Sequence, residues 1–228
     1  MALYAIGDLH LCLGAPKPMD IFGGNWVGYM DKLSQGLSIV KPEDTIVLLG
    51  DLSWSPDLAD AFADFQWINN IPGKKIILKG NHDYWWSTAS KFYDFCKKND
   101  FSDMYILNNN HYVYEDHAIC GTRGWFFEEE RSGEHDQKVF KRELLRLEAS
   151  LKSAGEMPKI VFLHYPPMYK GYKCHEIIQL LKQYDVRQCF YGHLHGPSHN
   201  LALEGLYDGI EYRLVSADRL NFCPFSVI

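Results

Sequence analysis

Leu3-Tyr4-Ala5-Ile6-Gly7-Asp8-Leu9-His10 governs the interpretation of this chain. A short continuous run comes first, a glycine follows at once, and an acid and a histidine then stand two apart. A run without polar alternation suits a strand covered on both faces. The glycine lets the backbone turn sharply where the strand ends. The design repeats: residues 46–49 lead into Gly50-Asp51, and residues 76–78 lead through Lys79 into Gly80-Asn81-His82-Asp83. Between the runs, apolar residues return at helical spacing. Val27, Met30, Leu33 and Leu37 predict a helix over 26–37 behind an Asn25 cap, and Leu58, Ala61, Phe62, Phe65 and Ile68 predict one over 58–68. Strands alternating with helices predict a mostly parallel sheet of the α/β class.

The second half continues the theme. Strands are expected over 118–120, Lys159–Leu163 and Gln188–Tyr191, with helices over 135–154 and 175–184. The first of these helices reads as a solvated face carrying Lys141, Arg142, Glu143, Arg146 and Glu148, with an apolar stripe of Val139, Leu144 and Leu147. Asp208-Gly209 between the strand-like stretches 200–206 and 210–216 is a hairpin signal. No linker or low-complexity segment interrupts the 228 residues, so one domain over 1–228, built from two similar halves, is expected.

Composition narrows the function. A net charge of −6 argues against coating nucleic acid by bulk electrostatics, and stable duplex binding is not expected. A phosphate substrate stays open, because a metal ion supplies positive charge locally. No apolar stretch is long enough for a membrane span, and the first residues lack the basic leader of a signal peptide. Six scattered cysteines without a C-x-x-C pair read as reduced thiols, which points to the cytoplasm.

The polar residues fall at the strand ends. Asp8 and His10 follow the first strand, Asp51 the second and Asn81 the third; His164 follows Lys159–Leu163, and His193 and His195 follow Gln188–Tyr191. In a parallel sheet these steps emerge on one carboxyl edge, where α/β ligand sites gather. Residues two apart in an extended segment point the same way, so Asp8 with His10, and His193 with His195, are each expected to grip one ion. Mixed carboxylate and imidazole donors suit zinc, iron or manganese. Seven donors exceed what one tetrahedral ion needs, whereas two ions sharing Asp51 as a bridge would use them well.

The ordered blocks Asp8-x-His10, Gly50-Asp51, Gly80-Asn81-His82-Asp83, His164 and Gly192-His193-x-His195 resemble the calcineurin-like metallophosphoesterase family, from residue 7 to residue 196. The resemblance implies a four-layer α/β/β/α sandwich and a phosphohydrolase acting on a phosphomonoester or phosphodiester of a small phosphorylated substrate. Carried over position by position, Asp8, His10 and His195 hold the first metal and Asn81, His164 and His193 the second, with Asp51 between them. His82 sits beside the substrate, oriented by Asp83, which raises its basicity. Two divalent ions, manganese ahead of iron or zinc, hold the hydroxide that attacks phosphorus. One position departs: the family's second block often carries a further acid, asparagine or histidine, where this chain reads Gly50-Asp51-Leu52-Ser53-Trp54.

Several residues keep two readings. Arg123, between Gly121-Thr122 and Gly124, suits either a bidentate grip on a substrate phosphate or a solvated surface turn. His199 could line the pocket, although like His111, His117, His135 and His175 it reads by default as a surface or hairpin residue. Tyr84-Trp85-Trp86 reads first as a cluster packing a loop onto the sheet, and second as a base- or lipid-stacking wall. Three other functions compete: a non-catalytic metal-binding scaffold, a nuclease acting on short oligonucleotides, and a lipid-linked diphosphate hydrolase.

Overall fold

The computed structural model describes residues 1–125 and 133–228. The chain divides into two units, residues 1–106 with 215–228, and residues 107–214.

In the first unit, β1 (Leu3–Ile6), α1 (Tyr29–Leu37), β2 (Thr45–Leu48), α2 (Phe62–Asn69), β3 (Lys74–Ile77), α3 (Ala89–Lys98) and β4 (Met104–Ile106) alternate along the chain. The four strands run parallel in the order β1-β2-β3-β4, and the terminal strand Phe225–Ser226 joins β1 antiparallel. Register is set by apolar rows: Ile6 stands opposite Leu48, Leu48 opposite Ile77, and Ile77 opposite Ile106. These four side chains pack in one core with Leu33, Phe65, Ile68 and Phe92 of the helices. The alternate strand residues Leu3, Ala5, Val47 and Ile76 are buried too, as continuous apolar runs require. Because the strands end level, the polar steps after Ile6, Leu48 and Ile77 leave the sheet along one edge.

The second unit holds β5 (His111–Tyr114), β6 (His117–Thr122), α4 (Glu134–Ser153), β7 (Lys159–Leu163), the small hairpin β8 (Met168–Tyr169) and β9 (Tyr172–Lys173), α5 (His175–Gln183), β10 (Gln188–Tyr191), β11 (Gly205–Tyr207) and β12 (Ile210–Leu214). Its main sheet has the order β11-β12-β10-β7-β6-β5, parallel from β12 to β6 with an antiparallel strand at each edge. Leu147, Leu151, Ile177 and Leu181 of the two helices share a core with Val161, Leu163, Tyr191 and Leu214. The protein is thus mixed α/β, with parallel central sheets flanked by helices and a β11–β12 hairpin turning at Asp208-Gly209, both at positive φ.

Several boundaries differ from the sequence reading. Helix α1 begins at Tyr29 rather than Trp26, because Gly28 at its N-cap is left-handed (φ 66°), and Asn25 donates its side-chain amide to the Asp218 carbonyl instead of capping. Helix α2 starts at Phe62, not Leu58. The strand expected over 200–206 begins as the end of a 3-10 turn, Gly196–Leu201, with Pro197 in its first turn; Ala202 bridges to Tyr169, and Gly205–Tyr207 forms the strand. Helix α3 escaped the sequence reading, although Thr88 caps it by accepting from the Lys91 amide. Glu143 does not lie on a solvated face. It is 2% exposed, its Oε2 accepting from the Thr122 hydroxyl at 2.6 Å and its Oε1 from Arg146 at 2.6 Å. A buried carboxylate survives only when so satisfied. Buried positions on α4 are Phe140, Glu143, Leu147, Ser150 and Leu151, while Val139 and Leu144 are half-buried.

Candidate metal centre

In the first unit, the segments following β1 and β2 leave the sheet side by side. The Asp8 amide donates to the Gly50 carbonyl (2.8 Å), His10 to Asp51 (2.9 Å), Leu11 to Leu52 (2.8 Å) and Trp54 back to Leu11 (3.0 Å). This pairing is not the extended strand continuation expected from the sequence. Asp8, His10 and Asp51 all carry positive φ (61°, 47° and 50°). Left-handed backbone is uncommon for residues other than glycine, and here it falls on three of the proposed donors. Asp8, His10 and Asp51 are nearly fully buried. Donor atoms of Asp8 and His10 lie within 4.8 Å of each other, and His10 Nε2 is 3.9 Å from Asp51 Oδ2.

Two glycines make the approach possible. A Cβ on Gly80 would stand 2.1 Å from Asp51 Oδ1 and 2.3 Å from the Asp51 nitrogen, and one on Gly50 would meet the Gly80 nitrogen at 2.4 Å. Only bare backbone lets the ends of β2 and β3 close this far. Asp51 Oδ1 then accepts the His82 amide at 2.7 Å, tying the third block to the second.

Asp83 does something other than orient His82. Its fully buried carboxylate accepts backbone N–H groups from Asp51 (2.8 Å) and Gly80 (2.6 Å) on Oδ2. On Oδ1 it accepts Leu52 (2.8 Å), Ser53 (3.4 Å) and the Trp85 indole N–H (2.8 Å). It makes no bond to the His82 ring. Turns at both strand ends leave amides pointing inward, and one carboxylate satisfies them together. Burial, and then the neighbouring Asp51 carboxylate, push Asp83 up to about 6, against the N–H donors that pull it down. Trp85 packs into the core against Phe65 at 4.7 Å, as the loop-packing reading of the aromatics expected, while Tyr84 is exposed with its hydroxyl 3.2 Å from His82 Nδ1.

The second unit assembles the remaining histidines. His164 is fully buried, its amide donating to the Arg123 carbonyl (3.1 Å) and its carbonyl accepting from Gly192 (3.1 Å), so the steps after β6, β7 and β10 brace one another. Donor nitrogens of His164 and His193 lie within 4.8 Å, and their ring centroids are 5.2 Å apart. His193 takes positive φ (74°), and the Tyr165 ring packs on it at 4.6 Å. His195 follows in extended conformation at the start of the turn that carries the half-buried His199.

Arg123, read as a phosphate grip or a solvated turn, is half-buried, its guanidinium 3.7 Å from the buried Glu143 carboxylate and over the Trp125 ring at 5.0 Å. The sequence reading missed Tyr165, which packs on His193, and gave no contact for Trp54, whose ring stacks on His10 at 4.8 Å. Trp54 had been visible as the odd residue of its block.

The chain matches the family model described as calcineurin-like phosphoesterase over residues 1–197 and belongs to that family. No curated protein is similar enough to match. Among solved structures, the protein of unknown function AQ665 from Aquifex aeolicus is 17% identical over 99% of this chain and 95% of its own, with a TM-score of 0.53. The protein TT1561 of Thermus thermophilus is 15% identical over 85% and 81%, at 0.47. The first likeness shows the fold alone. Family membership supports a metal-binding hydrolase of phosphoesters.

Proposed function

We propose that the protein seats two divalent ions and hydrolyses a phosphomonoester or phosphodiester of a small molecule. On the family's pattern, Asp8, His10 and His195 would hold one ion and Asn81, His164 and His193 the other, with Asp51 shared. What carries the reading is the left-handed, buried placement of Asp8, His10 and Asp51 at adjacent strand ends in a chain whose family match spans all five blocks. The donor set fits the ions: carboxylate, imidazole and amide side chains, held by backbone pairing rather than by mobile loops. When bound, such a pair supplies an activated water for in-line attack and positive charge against the phosphoryl oxygens. The residues do the rest. Asp51 Oδ1 holds the His82 amide, which fixes the base of that side chain. His82 would stabilise the phosphate or give a proton to the leaving oxygen. Manganese is the ion we favour, and the cytoplasm the compartment.

A hydrolysis screen over phosphomonoesters, phosphodiesters and nucleotides, with added manganese, iron or zinc, tests this. The parent should turn over at least one class and Asp51→Asn none. Equal rates for the two proteins would defeat the assignment, and hydrolysis confined to oligonucleotides would move it to the nuclease reading.

A further inference from the structure

Asp83 is committed to five N–H groups, and aromatic side chains stand against the His82 ring. The Trp54 ring centroid lies 4.5 Å from that of His82 at 48°, and the Tyr84 hydroxyl lies 3.2 Å from His82 Nδ1, its own ring edge-on at 6.0 Å. Trp54 is itself held firmly. Its amide donates to the Leu11 carbonyl, and both flanking serines, Ser53 and Ser55, donate their hydroxyls to the buried Asp64 carboxylate. Asp64 also accepts the Leu13 amide, which ties the segments after β1 and β2 to α2. The Lys17 ammonium sits 3.2 Å from the Trp54 ring centroid, a cation over the π-face.

We infer that Trp54 and Tyr84 form an aromatic cradle that positions the His82 imidazole for substrate, with Trp54 standing where the family pattern has an acid, asparagine or histidine. The inference rests on the hydrolytic reading above. An indole wall limits rotation of the imidazole, and a hydrogen bond between the phenol and Nδ1 fixes which ring nitrogen faces away from Tyr84. Neither group touches phosphorus or the leaving oxygen, so both are positioning residues. Their effect should grow with the need for a proton at the leaving group.

Trp54→Ala, Trp54→Phe and Tyr84→Phe test the cradle in two ways. In the metal-free protein, NMR of the His82 ring protons should show an upfield ring-current shift that Trp54→Ala abolishes and Trp54→Phe partly keeps. In the metal-loaded protein, kcat for esters with poor leaving groups should fall roughly 10–100-fold in Trp54→Ala, as misplacement of a catalytic group does. It should fall about fivefold in Tyr84→Phe, the weight of one neutral hydrogen bond. KM should hold in both, esters with good leaving groups should lose far less, and Trp54→Phe should recover most of the rate. Unchanged His82 resonances in Trp54→Ala, or a loss independent of leaving group, would overturn the cradle. Should Trp54→Ala fail to fold, the two phenylalanine variants carry the same comparison. A parent inactive on every ester sinks the hydrolytic reading instead, and the NMR arm still decides the placement of His82.

Discussion

Replacing Asp83 with asparagine separates its two assigned roles, partner of His82 or tether of two strand ends. In the structure Oδ2 accepts the Asp51 and Gly80 amides, and Oδ1 accepts Leu52, Ser53 and the Trp85 indole. An asparagine keeps an oxygen toward one set only, and its NH2 then faces donors in the other. At least two charge-assisted bonds go, each worth about 1.5–3 kcal/mol, while losing the charge relieves the burial and Asp51 repulsion that push this carboxyl up, so the variant should be about 1–3 kcal/mol less stable. That is a measurable part of the stability of an ordinary domain, about 5–15 kcal/mol. Urea denaturation of the metal-free protein at about pH 8, where the parent carboxylate is ionised, reads the difference directly. Divalent-ion affinity should weaken as well, because the Asp51 amide is one of the tethered groups. A stability within about 0.5 kcal/mol of the parent, with turnover alone lost, would refute the tether and restore Asp83 to the chemistry of His82.

Other perturbations have defined outcomes. Phe65→Ala removes the ring that meets Trp85, Phe92 and Phe95 edge-on, and calorimetry should show a loss of about 3–5 kcal/mol. Gly80→Ala forces a methyl against the Asp51 amide; it should cost about 1–3 kcal/mol and lower metal affinity in a calorimetric titration. Glu143→Gln should cost about 2 kcal/mol in thermal unfolding, since Arg146 and Arg123 lose a buried partner but Arg146 is part-exposed. Asp44 accepts the Lys41 and Ala2 amides, which hold its carboxyl below the usual range. A lowered native pKa stabilises at neutral pH and is lost as pH falls through that value. Asp44→Asn should therefore be less stable than the parent near neutrality, with the gap closing in acid; a gap that widens in acid would contradict the sign.

Much of the fold lay open in the sequence because the strands are short continuous apolar runs with a polar or glycine step soon after each. Leu3–Ile6, Lys159–Leu163 and Gln188–Tyr191 form as read, with the polar steps at their ends. What the pattern could not carry was tertiary. The left-handed turns at Asp8 and Asp51 need the partner segment beside them, so residues two apart looked extended. Glu143 looked solvated because nothing local announces Thr122 and Arg123, about 20 residues away along the chain, as its partners. Asp83 is legible as an acid beside His82, yet its duty depends on amides from another strand end. Among the described residues, no helix is long and apolar enough to cross a membrane.

The paired centre stands or falls on a count of ions. Metal-free protein titrated with manganese in a calorimeter should bind two ions per chain. Asp51→Asn should lose affinity at both sites, since both would share that carboxylate. A parent that binds none or one, or an Asp51→Asn titration superimposable on the parent's, would contradict a paired centre built on Asp51.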